Sequence, residues 1–366
     1  LLAEAAGGVM RHVIDLYKGL RARDWRVRMI LSPLRIESRY REELAGLNQA
    51  DIHYVEIRRA PHRSDWSAYR KIAEILKQES EDTILHAHST KAGMLGSLLQ
   101  PMVRAAVFTP HAYRGVDPNS LPLSRAFLRL VERTYSKNYD RILAVAPAEM
   151  EYARSLGIDE EVLRCIPNGL DTSHIDFLKV FERRRRVGQP LCLGFVGRLV
   201  YQKNPILFLK VLAEVVGRGR DARAVIVGDG PMKNEMLHSA ERLGVAGRIE
   251  WRGSIPATEA LREMDVMVHT SVYEALPYTL IEACADLLPI VATDNYGSEA
   301  VLGPRLPRNI AAYADAGEIA SILISLFDND SLRIEQLASL AAIAREYSTD
   351  SMVTKIAAEY DSLLAE

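Results

Sequence analysis

Two carboxylates, Glu274 and Glu282, stand eight residues apart in the stretch SVYEALPYTLIE, residues 271–282. Paired carboxylates serve either as general acid and base or as acceptors for the hydroxyls of a vicinal diol, which ribose and hexoses both present. Upstream, Arg198 and Lys203 lie in the run Gly197-Arg198-Leu199-Val200-Tyr201-Gln202-Lys203. Two flexible cations at the carboxyl end of a strand suit a diphosphate, whose negative charge needs positive partners; the alternative is an ordinary solvated pair. His111 follows in Thr109-Pro110-His111, where a lone imidazole either faces a ligand or is structural. His86 and His88 are two apart, so on a strand they share a face, and geometry allows a metal pair. No third ligand stands near them at metal-site spacing. There is no HExxH, paired CxxC or Walker lysine motif, and Asp328-Asn329-Asp330 reads as a helix cap between two C-terminal helices.

These side chains need a scaffold. Asp265–Ser271 is an apolar run ending in small polar residues and reads as a buried strand, and Pro277 suits the first turn of the helix that follows. Glu274 then lies on a strand-to-helix loop and Glu282 about 1.5 turns into the helix. Both can face a crevice at the carboxyl end of a parallel sheet, beside helix amides that favour an anion. The same strand-helix alternation recurs along the chain. Strands are expected at Arg26–Leu31, Ile52–Ile57, Thr83–Ala87, Ala105–Thr109, Arg141–Ala146, Val162–Ile166, Leu191–Val196, Ala222–Val227, Ile249–Trp251 and Ile290–Thr293, separated by helical stretches. Such alternation means parallel sheets with helices on both faces.

The rhythm breaks over 172–189, where Glu182, Arg183–Arg186, Gly188 and Pro190 read as a linker with a solvated basic helix end. This predicts an α/β chain of two Rossmann-like domains, 1–171 and 190–347, with a crevice between them as the preferred ligand site. The final amphipathic helix, 348–366, carries Met352, Ile356, Ala357, Tyr360 and Leu363-Leu364 on one stripe.

Bulk properties agree with a globular protein. The chain has 366 residues, 48% hydrophobic and 26% charged, with net charge −2, which gives no general argument for nucleic acid. Residues 1–170 hold 25 Lys+Arg against 21 Asp+Glu. That mild excess would favour an anionic membrane surface or acceptor, or is ordinary scatter. Three widely spaced cysteines imply a reducing compartment. No apolar run approaches the about 18 residues that span a bilayer, and no signal peptide is evident. The opening Leu1-Leu2-Ala3 reads as the end of a strand whose beginning precedes this numbering.

Taken together and in order, the motifs resemble a retaining family 4 glycosyltransferase of GT-B fold. The matching pieces are Gly7-Gly8-Val9 with Arg11-His12-Val13, His86-Ala87-His88-Ser89-Thr90-Lys91-Ala92-Gly93, Thr109-Pro110-His111, Ile166-Pro167-Asn168-Gly169-Leu170-Asp171, Gly197-Arg198 with Lys203, Gly228-Asp229-Gly230-Pro231, and Glu274 through Glu282. They span nearly the whole chain, and the segments around His88 and His111 look most like enzymes of bacterial exopolysaccharide, capsule or lipid-linked glycan synthesis.

The resemblance implies a hexosyltransferase that uses a nucleotide sugar, expected to be UDP-linked, and a glycan or lipid-linked acceptor. It implies no cofactor and no metal, because Arg198 and Lys203 would stabilise the leaving nucleotide. Glu282 would hold the ribose, Glu274 the donor sugar, and His111 the sugar from the first domain. Gly8 would let its loop approach the phosphates or acceptor. The amides of Tyr278, Thr279 and Leu280 would add to the phosphate site, with Gly228, Arg252 and Ser254 near the nucleotide. The last helix would cross back onto the first domain. The expected location is cytoplasmic, with peripheral contact to the inner face of the membrane. Two departures stand out: Ala275 and Pro277 replace frequent glycines, with Pro277 lacking an amide hydrogen, and Asn295-Tyr296-Gly297-Ser298-Glu299 replaces the usual double-glycine loop. The competing readings are a nucleotide-sugar epimerase of the same fold and a non-catalytic sugar-nucleotide binding subunit.

Overall fold

The computed structural model describes residues 1–4, 7–58, 62–116, 121–172, 175–184, 190–312 and 315–366. Contacts divide the chain into two compact units, Leu1–Gly169 with Thr349–Glu366, and Leu170–Ser348.

The first unit is built on seven parallel strands: β1 (Leu2–Ala3), β2 (Met29–Leu31), β3 (Ile52–Tyr54), β4 (Ile84–His88), β5 (Ala105–Thr109), β6 (Arg141–Ala144) and β7 (Leu163–Cys165), in the order β3-β2-β1-β4-β5-β6-β7. The second has six: β8 (Leu191–Val196), β9 (Ala222–Val227), β10 (Ile249–Gly253), β11 (Val266–His269), β12 (Ile290–Thr293) and β13 (Ile310–Ala311), in the order β10-β9-β8-β11-β12-β13. All pairings are parallel. Helices cover both faces, which is why strands such as β8 and β12 are apolar almost throughout and buried.

In each sheet the strand order reverses once, between β1 and β4 and between β8 and β11. Loops diverge there to opposite faces and leave a crevice beyond the strand ends. The two sets of candidate side chains leave these strand ends.

One face of the first sheet packs against the helices Gly8–Arg21 and Thr349–Ala365, through Met10, Val13, Leu16, Leu20, Met352, Val353, Ile356 and Tyr360. The last helix is therefore part of the first unit. Glu359 reinforces it by accepting from Arg141 at 3.0 Å and Arg164 at 3.1 Å.

The stretch expected to be a linker is structured over much of its length. Phe177–Arg184 is a helix of the second unit. Its Arg184 is buried, not solvated: the guanidinium donates to the carbonyls of Asp286, Met264 and Leu261 and pairs with the Asp286 carboxylate. Arg185, Arg186 and Gly188 of the same expectation lie outside the described residues. Further elements not anticipated include the helix Ser38–Ala45 and strand β13. The Asp328-Asn329-Asp330 segment is a cap, with Asn329 Oδ1 accepting from the amides of Ser331 and Leu332.

Candidate functional site

In the second unit the loop after β8 and the loop after β11 are held together by hydrogen bonds to main-chain carbonyls. The Val272 amide donates to the Gln202 carbonyl at 2.8 Å, the Gln202 side-chain amide donates to Tyr273 O at 3.1 Å, and the Thr270 hydroxyl donates to Lys203 O at 2.9 Å. This stitching brings together two residues that are 71 apart in sequence: Lys203 Nζ lies 2.5 Å from Glu274 Oε1, with both side chains largely buried. Arg198, by contrast, is exposed and makes no ion pair among the described residues. One cation is thus held by a carboxylate and one is open to an anion.

The supports of this pair explain the glycines around it. Gly228 has φ of +134°, donates its amide to Gly253 O at 2.7 Å, and would drive a Cβ to 1.9 Å from the Gly197 carbonyl oxygen. Only glycine fits there without moving the Arg198 loop. Gly297 packs so closely that a Cβ would lie 2.7 Å from Cβ of Glu274. The segment expected as a variant loop is the start of a helix, Tyr296–Leu302, capped by Asn295 Oδ1 on the Ser298 amide. Asn295 Nδ2 also donates to Ser271 O, which fixes the Glu274 loop from its far side.

Downstream, the helix begins at Tyr278, with Pro277 as its N-cap rather than its first residue. Leu280 donates its amide to Pro277 O at 3.1 Å, so it is engaged. The Thr279 hydroxyl and, on the strand side, the Ser271 hydroxyl are buried without a partner. Unsatisfied buried donors of this kind mark a place where a ligand can bond. Glu282 is half-buried on the same helix. Arg252 lies elsewhere: it is on edge strand β10, and its guanidinium binds Glu263 at 2.6 Å and Glu250 at 3.2 Å. Ser254, just beyond that strand, is exposed.

In the first unit the loops after β1, β4 and β5 gather imidazoles. His12 is on the second turn of the helix Gly8–Arg21, His88 ends β4, and His111 follows β5. His12 Nδ1 is 2.9 Å from Asn168 Oδ1, and His88 Nδ1 is 3.2 Å from His111 Nε2. Ring centroids of His12 and His111 are 4.7 Å apart. His86, on the same strand face as His88, is committed: Nδ1 meets the Tyr360 hydroxyl and Nε2 meets Thr109 Oγ1 at 2.8 Å. Burial lowers the pKa of His12 to about 4, the Asn168 hydrogen bond opposing it. His86, His88 and His111 are held well below the ordinary value by burial, and the imidazoles around them add to the effect. The cluster is therefore neutral at pH 7.

His111 and Ala112 have φ of +54° and +88°, a conformation costly for residues with a Cβ. Two buried carboxylates that sequence reading missed hold it. Glu149 accepts from the Ala112 amide at 2.6 Å and from Val145 at 2.8 Å; Glu132 accepts from the amides of Arg114 and Gly115 and from the Tyr152 hydroxyl. Burial raises Glu149 to about 7. Their signal was available as acidic residues on the inward faces of the helices Pro122–Ser136 and Pro147–Ser155. Gly8, at the first helical position, is exposed, and the positive φ belongs to its neighbour Gly7, at +60°.

The chain is similar over its length to known proteins. Residues 6–174 match the family model described as Glycosyltransferase Family 4, and residues 177–346 match that for Glycosyl transferases group 1. An Escherichia coli UDP-Gal:alpha-D-GlcNAc-diphosphoundecaprenol alpha-1,3-galactosyltransferase is 25% identical over 80% of this chain and 78% of its own length. A 2-deoxystreptamine glucosyltransferase of Streptomyces kanamyceticus is 25% identical over 58% of each chain. Among solved structures, Anabaena HepE in complex with UDP and glucose superposes with a TM-score of 0.80 at 17% identity, over 99% of this chain and 98% of that one. The lipopolysaccharide glycosyltransferase WaaG gives 0.71 at 14% identity, over 97% and 96%. These likenesses establish the fold as GT-B.

Proposed function

The chain belongs to the family 4 glycosyltransferases, and on that premise we propose that it transfers a hexosyl unit from a UDP-linked donor to a hydroxyl of a lipid-linked glycan, with retention at the anomeric carbon and without a metal. The observation that carries this reading is the Lys203–Glu274 pair beside the unpaired Arg198, at the switch point of the second sheet. A donor diphosphate would engage Arg198 and draw the Lys203 ammonium from Glu274, releasing that carboxylate to accept from sugar hydroxyls. As the glycosidic bond breaks, charge develops on the leaving phosphate, where both cations and the Thr279 N–H stabilise it. Glu282 would take the ribose, and His111, neutral and held by its strained loop, would meet the donor sugar. Gly8 would let the backbone near the acceptor or phosphates. The roles first expected of Arg252 and the Leu280 amide receive less support, because each has a partner already.

The donor and acceptor classes rest on the relatives: one is named for UDP-galactose and a diphosphoundecaprenol acceptor, and one neighbour holds UDP. Among the described residues no helix is long and apolar enough to cross a membrane. The helix Pro122–Ser136 instead exposes Leu123, Phe127 and Leu130 at helical spacing, with Leu121 just before it and Arg133 and Lys137 near its end. Such a face suits an anionic bilayer surface, apolar residues entering the interface and cations meeting headgroups.

Incubation with UDP-hexoses and GDP-mannose, with and without lipid-linked acceptors, tests the reading by nucleotide release, product anomeric configuration and insensitivity to EDTA. Isomerised nucleotide sugar without release would instead identify an epimerase. Loss of sedimentation with anionic vesicles in Leu123→Glu/Phe127→Glu tests the membrane face.

A further inference from the structure

We propose that His12, His88 and His111 form a transition-metal site, selective for a borderline cation such as Zn²⁺, whose occupancy withdraws His111 from transfer. One ligand nitrogen from each ring lies within 4.8 Å of the others. A tetrahedral site with metal–nitrogen bonds of about 2.0–2.1 Å needs nitrogens roughly 3.4 Å apart. The 3.2 Å between His88 Nδ1 and His111 Nε2 already shows how closely these rings can approach. Small χ rotations of His12 and His111 would close the rest.

Two further features point to a ligand. First, Nε2 of His12 is buried with no partner, and this ring is 1% exposed. Leaving such an atom without a bond is costly unless something binds it. Second, Asn168 Oδ1 can only accept, so the His12 proton sits on Nδ1 and the Nε2 lone pair is bare. A carbonyl behind a ligating imidazole is the usual arrangement around bound zinc. His111 is only half-buried, which gives a route in. His86 is not a ligand, because both its ring nitrogens are already bonded.

The metal here would not serve the chemistry. A ring bound to Zn²⁺ cannot also meet a sugar hydroxyl, so metal and transfer compete for His111. This second half rests on the role given to His111 above, whereas binding does not.

Binding is therefore measured without turnover. Untagged Cys165→Ser protein, which lacks the exposed thiol, is titrated with Co²⁺ by visible absorption and then with Zn²⁺ by calorimetry. The expected result is one saturable equivalent, displaced by Zn²⁺. It is lost in His12→Gln and His88→Gln proteins of unchanged circular dichroism, and weakened about 10–100-fold in Asn168→Ala. Should those variants not fold, Co²⁺-shifted imidazole proton resonances of the Cys165→Ser protein give the answer, three shifted rings being expected and fewer overturning the site. Absence of saturable binding, or binding undiminished in folded His12→Gln/His88→Gln protein, also overturns it. Transfer that is unaffected by saturating Zn²⁺ overturns the competition, and inhibition reversed by EDTA supports it.

Discussion

The two units solve the same topological problem with opposite electrostatics. Each gathers its side chains where strand order reverses, at β1/β4 and at β8/β11. In the second unit the group is charged: an exposed Arg198 and a Lys203–Glu274 pair. In the first it is neutral: buried imidazoles with depressed pKa, and a strained loop held by the carboxylates Glu132 and Glu149. The difference follows from burial. A charge survives only where a partner or water compensates it, and otherwise the group gives up its charge. A charged site can bind and stabilise a diphosphate, while a neutral one can only place hydrogen bonds or ligate. The contrast teaches that fold position makes a crevice, and local solvation decides what the crevice can do.

The largest test of this contrast is Lys203→Ala. It is expected to lower kcat about 10²–10³-fold, the cost of losing one developing-charge partner, whereas His111→Ala, which removes a neutral contact, should cost about tenfold. Equal losses in steady-state assays would erase the distinction.

Next is pH. The His12 pKa is lowered from 6.5 to about 4, so its contribution to stability is present above pH 6.5 and is lost as pH falls toward 4, by about 3 kcal/mol. Glu149, raised from 4.5 to about 7, acts with the opposite sign, its contribution being present below 4.5 and lost as pH rises through 7. Four histidines are lowered against three carboxylates raised, Asp15, Glu132 and Glu149, whereas in the second unit His269 alone among the described histidines is lowered, so the first unit should be the acid-labile one. A chain keeping only Trp25 should report acid unfolding at higher pH than one keeping only Trp251; coincident transitions would show that the units do not differ.

A third test is Glu282→Ala, expected to raise the donor KM about 10–100-fold with kcat little changed, the range for a hydrogen bond to a charged group. An unchanged KM would move the ribose elsewhere. The smallest effect is expected of Arg252→Ala. Its partners Glu250 and Glu263 are surface carboxylates, and such pairs contribute about 0–1 kcal/mol, so neither melting temperature nor donor KM should shift much. A tenfold rise in KM would return Arg252 to the nucleotide site.

Much of the fold was legible because parallel strands covered on both faces must be apolar, and runs such as Leu191–Val196 leave little choice. Where that signal fails, so did the reading. β13 is only Ile310–Ala311, too short to carry a pattern. The helix Phe177–Arg184 hid behind a basic run whose Arg184 is buried by partners far along the chain, Leu261, Met264 and Asp286. The charged site was legible too, since Arg, Lys and Glu at strand ends declare their chemistry by type.

What the sequence alone determined was residue type and local period: two α/β sheets, the strand ends, and the cations and carboxylates that leave them. Only tertiary structure decided their company. It set Lys203 on Glu274, gave Arg252 its own acids, and braced His111 with Glu149 and Glu132. It also supplied His88 with the neighbours that its own stretch lacks, His12 from a helix and His111 from a loop. The physical reason is that local conformation depends on neighbours along the chain, whereas solvation and charge depend on neighbours in space, and crossovers at a switch point bring those from far apart in sequence.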